Sequence, residues 1–304
     1  MAEPQDGGAN QKARGYFIRS QFFAAPTVAP GLYIVATPIG NLGDISIRAL
    51  DILAGADLVA CEDTRVTRKL FTRYGIEARV MAYHEHSEDQ AHRRLLDALA
   101  DGRSVAVVSD AGTPLISDPG ARLVVEAAAA GHNVFPIPGP SSTIAALCAA
   151  GLPTETFLFA GFLPPKGVAR RTRLAEIAEI SATLVLFESP HRTGALLADA
   201  AAILGEDRQG AICREITKLH ETFDRGTLGG LAARYAEANV KGEIVLVIAP
   251  SAGAGPPDTA DVDALLHAAL VSLSIKDAAQ SVSEATGLPR RDLYRKALAF
   301  KNPR

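Results

Sequence analysis

Apolar and polar positions alternate along this chain in a repeating unit: a short apolar run, a loop rich in Gly, Pro, Asp, Ser and Thr, then an amphipathic or Ala-rich segment of helical period. The apolar runs Gly31–Thr37, Asp57–Cys61, Val80–Ala82, Ser104–Val108 and Asn133–Ile137 read as strands. Helices are predicted from about Ser46, from Asp63 or Thr64 (either could cap it) through Phe71, over Glu88–Leu99 and Ala121–Ala130, and, after the loop Pro138–Ser142, through Ala150. Strands alternating with helices at this spacing call for a mostly parallel sheet covered on both faces, an α/β fold.

Gly151-Leu152-Pro153 marks a boundary, after which a second alternating set begins. Its strands are expected at Thr156–Gly161, Thr183–Phe187, Gln209–Cys213 and Glu243–Ala249, with helices through Leu204 and near Leu228–Ala238. Pro250–Pro257 reads as a linker. Three further helices, Asp261–Leu273, Lys276–Thr286 and Pro289–Ala299, resemble a helix-turn-helix in outline, with Gly287-Leu288 as the turn. The expected organisation is a flexible extension (1–30), two α/β domains (31–150 and 151–250), a linker (251–260) and a basic helical tail (261–304).

Composition narrows the function classes. With 304 residues, 48% hydrophobic and 21% charged, the chain is long enough for two cores and is globular. No apolar stretch approaches the ~20 residues of a membrane span, and no signal-peptide core follows Arg14 and Arg19, so no membrane partner and a cytoplasmic location are expected. Three widely spaced cysteines, Cys61, Cys148 and Cys213, match neither a disulfide framework nor a metal knuckle and read as small buried hydrophobes. His84-Glu85-His86 lacks a third ligand at a recognisable spacing, so no metal is expected. The net charge of −3 excludes a uniformly basic nucleic-acid binder and confines any such role to patches. One is the tail, at +4 from Lys276 onward; another is Lys166, Arg170, Arg171 and Arg173.

The candidate chemistry sits in loops after strands. The longest, Ser109–Gly120, follows a central strand, and ligands of open α/β sheets bind at such carboxyl ends. Loops 38–44, 62–65 and 139–142, with 162–167, 188–192 and 213–221 from the second set, would converge on the same crevice. No G-x-G-x-x-G or P-loop pattern is present, which removes support for those nucleotide sites. Glycines at 40, 43, 112, 120 and 139 allow close backbone approach, and N–H groups at helix starts suit a carboxylate. A ligand with an amino-acid end, a ribose and an adenine, such as S-adenosylmethionine, fits these features. Glu62, Asp63 and Glu215 stand at strand ends as candidate proton acceptors. Arg65, Lys166 and Arg214 are candidate phosphate holders.

Seven motifs occur in order: Thr37–Asp44, Glu62–Arg65, the 109–120 loop, Pro138–Ser142, Gly161–Lys166, Glu188–Arg192 and Arg214-Glu215. Together they resemble the tetrapyrrole methylase (class III) superfamily, and within it the enzymes that methylate small-subunit ribosomal RNA. The likeness spans roughly residues 31–250, and the tail is similar to the C-terminal helical segment of those enzymes. It implies two α/β domains with S-adenosylmethionine in the cleft between them, a homodimer, and 2'-O-methylation of a cytidine ribose in the decoding centre of 16S rRNA. Position by position, it places Pro38, Ala111, Gly112, Thr113, Ile116, Ser141, Ser142 and Glu188 around the cofactor, with Asp110 and Pro114 shaping the loop. Phe187 stands where that family pattern suggests Tyr. The basic cluster 166–173 and the tail, including Arg290 and Arg291, would contact RNA. The alternatives are a methyltransferase of a small tetrapyrrole and a non-catalytic RNA-binding assembly factor.

Overall fold

A computed structural model describes residues 14–83, 88–116, 120–251, 259–286 and 288–301. The first of these already depart from the expected flexible extension. Gly15–Ile18 (β1) and Gln21–Ala24 (β2) form an antiparallel hairpin. It is held down because alternate β1 side chains face the core: Tyr16 is 1% exposed, and its hydroxyl donates to Asp51 at 2.8 Å.

The next strands are Gly31–Val35 (β3), Leu58–Cys61 (β4), Val80–Ala82 (β5), Ser104–Val108 (β6) and Val134–Ile137 (β7), in spatial order β5-β4-β6-β3-β7. Every pairing is parallel. The central strands are covered on both faces, which is why they read as unbroken apolar runs. Helices Ile47–Gly55 (α1) and Thr64–Tyr74 (α2) cover one face, and Glu88–Ala100 (α3) and Ala121–Ala129 (α4) the other. Ser142–Ala150 (α5) closes this half.

The second half contains Phe157–Phe162 (β8), Gly167–Ile177 (α6), Thr183–Glu188 (β9), Thr193–Leu204 (α7), Gln209–Arg214 (β10), Thr222–Thr227 (β11), Leu228–Tyr235 (α8) and Ile244–Ile248 (β12). Its sheet order is β11-β10-β12-β9-β8, and only β8 and β9 run parallel. The loop 215–221 is too short for a crossover, so β10 and β11 pair as a hairpin, and β12 inserts antiparallel to both β9 and β10. Alternating strand and helix therefore does not mean a parallel sheet here.

Helix α5 joins the halves. Its Ala146, Leu147 and Ala150 pack with Ile39 from the first half and with Val185, Ala211, Cys213, Val245 and Val247 from the second. Residues up to Ala178 together with Ala182–Ala249 accordingly make one compact unit, and the 151–153 boundary falls inside it. The other unit holds 179–181 and the residues from Pro250. Within it Thr259–Leu270 (α9), Ile275–Thr286 (α10) and Arg290–Lys301 (α11) enclose a small core of Val262, Leu266, Ala279, Val282, Leu293 and Ala297. No helix among the described residues is long and apolar enough to cross a membrane.

Candidate active site

The loops after β3, β6 and β7 are welded by backbone bonds. Thr37 and Gly112 exchange both: Thr37 N donates to Gly112 O at 2.8 Å, and Gly112 N to Thr37 O at 3.0 Å. Thr37 Oγ1 donates to Ser109 O at 3.2 Å, and Thr113 Oγ1 to Pro140 O at 3.3 Å. Gly112 holds φ +79°, where a Cβ would stand 3.3 Å from Ile39; only glycine occupies that region without strain. Asp110 Oδ1 accepts from the Asp63 N–H at 3.0 Å, tying the same loop to the start of α2. Ser141 caps α5 through the Ile144 N–H.

These loops border a cavity of about 330 Å³, in the size range of small-molecule sites. One side is Asp110, Ala111, Gly112, Thr113, Ile116, Ser141, Ser142 and Thr143; facing them are Phe162, Phe187, Ile244, Val245 and Glu243, with Glu62 from the β4 end. Phe162 and Phe187 meet edge to face, centroids 5.5 Å apart. Among the described residues, the lining carries three carboxylates, Glu62, Asp110 and Glu243, and no cation.

The cavity thus collects Asp110–Thr113, Ile116, Ser141 and Ser142. Pro114 is buried within the loop, and Pro38 lines a separate hollow of about 40 Å³ beneath it, against Val66, Thr67 and Leu70 of α2. Glu188 does not line the cavity. Its side chain is fully buried, one oxygen accepts from Ser189 N at 2.7 Å, and the other lies 3.2 Å from Arg192 Nη2. That guanidinium also donates to Leu163 O at 2.9 Å, so Glu188 fixes the β8–α6 loop.

Of the three candidate proton acceptors, only Glu62 is at the cavity. Asp63 caps α2 and grips Arg65 with both oxygens; these hydrogen bonds pull its carboxyl from 3.8 to about 2. Glu215 accepts from Lys218 Nζ at 2.8 Å and from Glu243 N at 2.9 Å, and the lysine beside it holds its carboxyl below the usual range. A carboxylate so committed is a poor base.

Among the cations, Lys166 is exposed at the start of α6, and Arg65 is exposed but paired with Asp63. Arg170 departs from the RNA-contact expectation. It is 6% exposed and its Nη2 lies 2.6 Å from Asp199, because position 170 falls on the buried face of α6. Arg171 is exposed and lies 3.3 Å from the same carboxylate. Arg214 donates to Thr222 Oγ1 and to Lys241 O. Arg290 and Arg291 are exposed at the start of α11. Cys61 and Cys213 are buried, and burial pushes the Cys213 thiol up to about 12. Cys148, contrary to expectation, is exposed. His84-Glu85-His86 lies outside the described residues; among those described, no cluster could hold a metal. Sequence reasoning passed over Glu243, which opens an apolar strand and looks like its polar edge.

A model of the tetrapyrrole (corrin/porphyrin) methylases matches residues 31–232. The chain belongs to that family. A second model, the RsmI C-terminal HTH domain, matches 256–301. Within the family it groups with proteins named ribosomal RNA small subunit methyltransferase I. That of Mesorhizobium japonicum is 51% identical over 91% of this chain and 95% of its own length. That of Escherichia coli O157:H7 is 45% identical over 88% and 94%. The fold is shared with a cobalamin biosynthetic enzyme, cobalt precorrin-4 methyltransferase (TM-score 0.57, 21% identity, 72% of this chain and 94% of that one). It is also shared with diphthine synthase (TM-score 0.56, 19% identity, 72% and 89%). The family is thus one of methylases, and its fold recurs in proteins of different names.

Proposed function

We propose that this chain is an S-adenosylmethionine-dependent methyltransferase that methylates the 2'-hydroxyl of a cytidine ribose in the decoding centre of small-subunit (16S) rRNA. The supporting observation is the cavity, joined to family membership with relatives named for small-subunit rRNA. Backbone and a helix start form much of one wall, aromatic and aliphatic side chains the other, and among the described residues carboxylates are the only charges in the lining. N–H groups of Ser142 and Thr143 at the positive end of α5 suit a ligand carboxylate. Phe162, Phe187, Ile244 and Val245 offer an apolar face to an adenine. An anionic lining favours a cationic sulfonium and disfavours phosphate.

When bound, S-adenosylmethionine supplies an already activated methyl group. The protein's task is then to align an acceptor hydroxyl and remove its proton. Glu62 is the carboxylate we assign to that proton, since of the three candidates it alone lines the cavity. The Thr37–Gly112 exchange and the Asp110–Asp63 bond hold the loop opposite it rigid, and rigid placement is where such enzymes gain rate.

The test uses purified protein, assembled small ribosomal subunits and tritiated S-adenosylmethionine, followed by nuclease mapping of 2'-O-methylation. Label in one cytidine ribose of the decoding region is the expected result. Label in a uroporphyrinogen-type macrocycle instead, or subunit binding without any label, would overturn the reading. Glu62→Gln should lower kcat by ~100-fold with little change in cofactor affinity.

A further inference from the structure

The acidic cavity poses a problem for an RNA substrate: the acceptor ribose must enter a carboxylate-lined cleft, so its flanking phosphates must be held elsewhere. Helix α2 starts two residues after the cavity residue Glu62. Its exposed positions are Arg65, Arg68, Lys69, Thr72 and Arg73, spaced i, i+3, i+4, i+7 and i+8, while Thr67, Leu70, Phe71 and Tyr74 face the core. One helix face therefore carries four cations, and the helix has no acidic residue in a chain of net charge −3. Among the described residues only Arg65 of these is ion-paired, with Asp63.

This arrangement works against the helix itself. Arg65 sits in the first turn, at the positive end of the dipole, and the pairs 65/69 and 69/73 set like charges at i,i+4. Such a stripe gains from an anionic partner. Along the helix axis it runs ~12 Å from Arg65 to Arg73. At its far end Gly75 ends α2, and a Cβ there would stand 2.7 Å from the ring of Phe17 in the hairpin. Phe17 and Phe22 are 42% and 45% exposed, with ring centroids 5.2 Å apart. A groove of about 380 Å³, to which Arg68, Phe71, Thr72, Gly75 and the acidic Glu77 contribute, follows the same edge.

We propose that the exposed face of α2 and the Phe17–Phe22 pair form a docking track for single-stranded RNA flanking the methylated nucleotide. Phosphates rest on Arg68, Lys69 and Arg73, and bases stack on the two phenylalanines. Cations tracking a backbone beside exposed aromatic rings are how proteins hold single strands without reading sequence. The inference rests on the rRNA reading above.

The experiment compares the full-length wild type with R68E/K69E/R73E and F17A/F22A, on assembled small subunits across a salt series. All three substituted α2 side chains are exposed, and thermal melts establish that the variants are folded. The triple reversal should raise KM for subunits at least ~10-fold, leave kcat at saturation within ~3-fold, and flatten the log-affinity against log-salt slope by ~2, at ~0.7 per lost single-strand phosphate contact. F17A/F22A should weaken binding several-fold with the slope intact, and R68K/R73K, which keeps the charges, should bind as wild type does. Ultraviolet crosslinks to rRNA should map to peptides containing residues 14–24 and 64–74. An active wild type with KM and slope unmoved by the reversal would overturn the track. So would crosslinks from these peptides only to ribosomal protein. A wild type that leaves rRNA unlabelled overturns the functional reading instead, and the track is then judged by the salt slope of binding alone.

Discussion

The two halves of the α/β unit wall the same cavity by different means. In the first, the sheet is wholly parallel, and the wall joins backbone at Ala111, Gly112 and the start of α5, held by the Thr37–Gly112 exchange, to the carboxylates Glu62 and Asp110. In the second, the sheet is mixed, the strands arrive from both directions, and the wall is side chain: Phe162, Phe187, Glu243 and Ile244. Main chain gives fixed N–H and C=O groups, whereas side chains give shape and charge. Backbone rigidity is concentrated in the first half, and the apolar shape of the cavity in the second.

Substitutions that respect or violate this division should separate cleanly. Gly112→Val forces a β-branched side chain into φ +79° against Ile39, a strain of ~1–3 kcal/mol. Because that strain falls on the wall itself, cofactor binding measured by calorimetry should fall by roughly 10- to 100-fold. Arg170→Ala tests the second half's scaffold: it empties a buried site and leaves half-buried Asp199 only the exposed Arg171 as a partner, at a cost of ~2–3 kcal/mol. The melting temperature should drop by roughly 8 °C, with cofactor affinity at permissive temperature unchanged. Were Arg170 an RNA contact instead, KM for subunits would move and the melt would not.

Phe162→Ala removes a 58%-exposed ring from the side-chain wall. It should weaken cofactor binding about tenfold, ~1.4 kcal/mol, without altering the melt. The smallest effect concerns acid. Asp63 is lowered from 3.8 to about 2, so its capping bond contributes fully above pH ~4 and is lost as pH falls through ~2. Asp63→Asn caps without titrating, and its melting temperature relative to wild type should rise only in that window.

Much of the first half is legible in the sequence because parallel buried strands and their loops announce themselves. The run Ser104–Val108 is a strand with those bounds, and Asp63 and Ser141 are the caps that their residue types suggest. The second half is less legible for a physical reason: strand direction leaves no trace in hydrophobic period, so β12 antiparallel between β9 and β10 could not be read from Ile244–Ile248. Charged side chains are harder still. Arg170 sits among arginines that look alike, and only its partner 29 residues away in α7 reveals it as interior. Glu188 is diverted from the cavity by Arg192, a neighbour whose reach into Leu163 O no spacing rule predicts. The β1–β2 hairpin was hidden because each of its strands is only four residues long.

The Thr37–Gly112 exchange has a consequence for how this protein can change over generations. A surface made of amide and carbonyl groups offers a ligand the same chemistry whichever side chains the chain carries. Mutation is mute toward it, save at the few positions whose backbone angle forbids a side chain. Novelty in what the pocket accepts must therefore arise at its side chains, Glu62 and Asp110 on this half and Phe162, Phe187 and Glu243 across the cleft, where each codon is audible. Backbone serves here as inheritance and side chains as vocabulary.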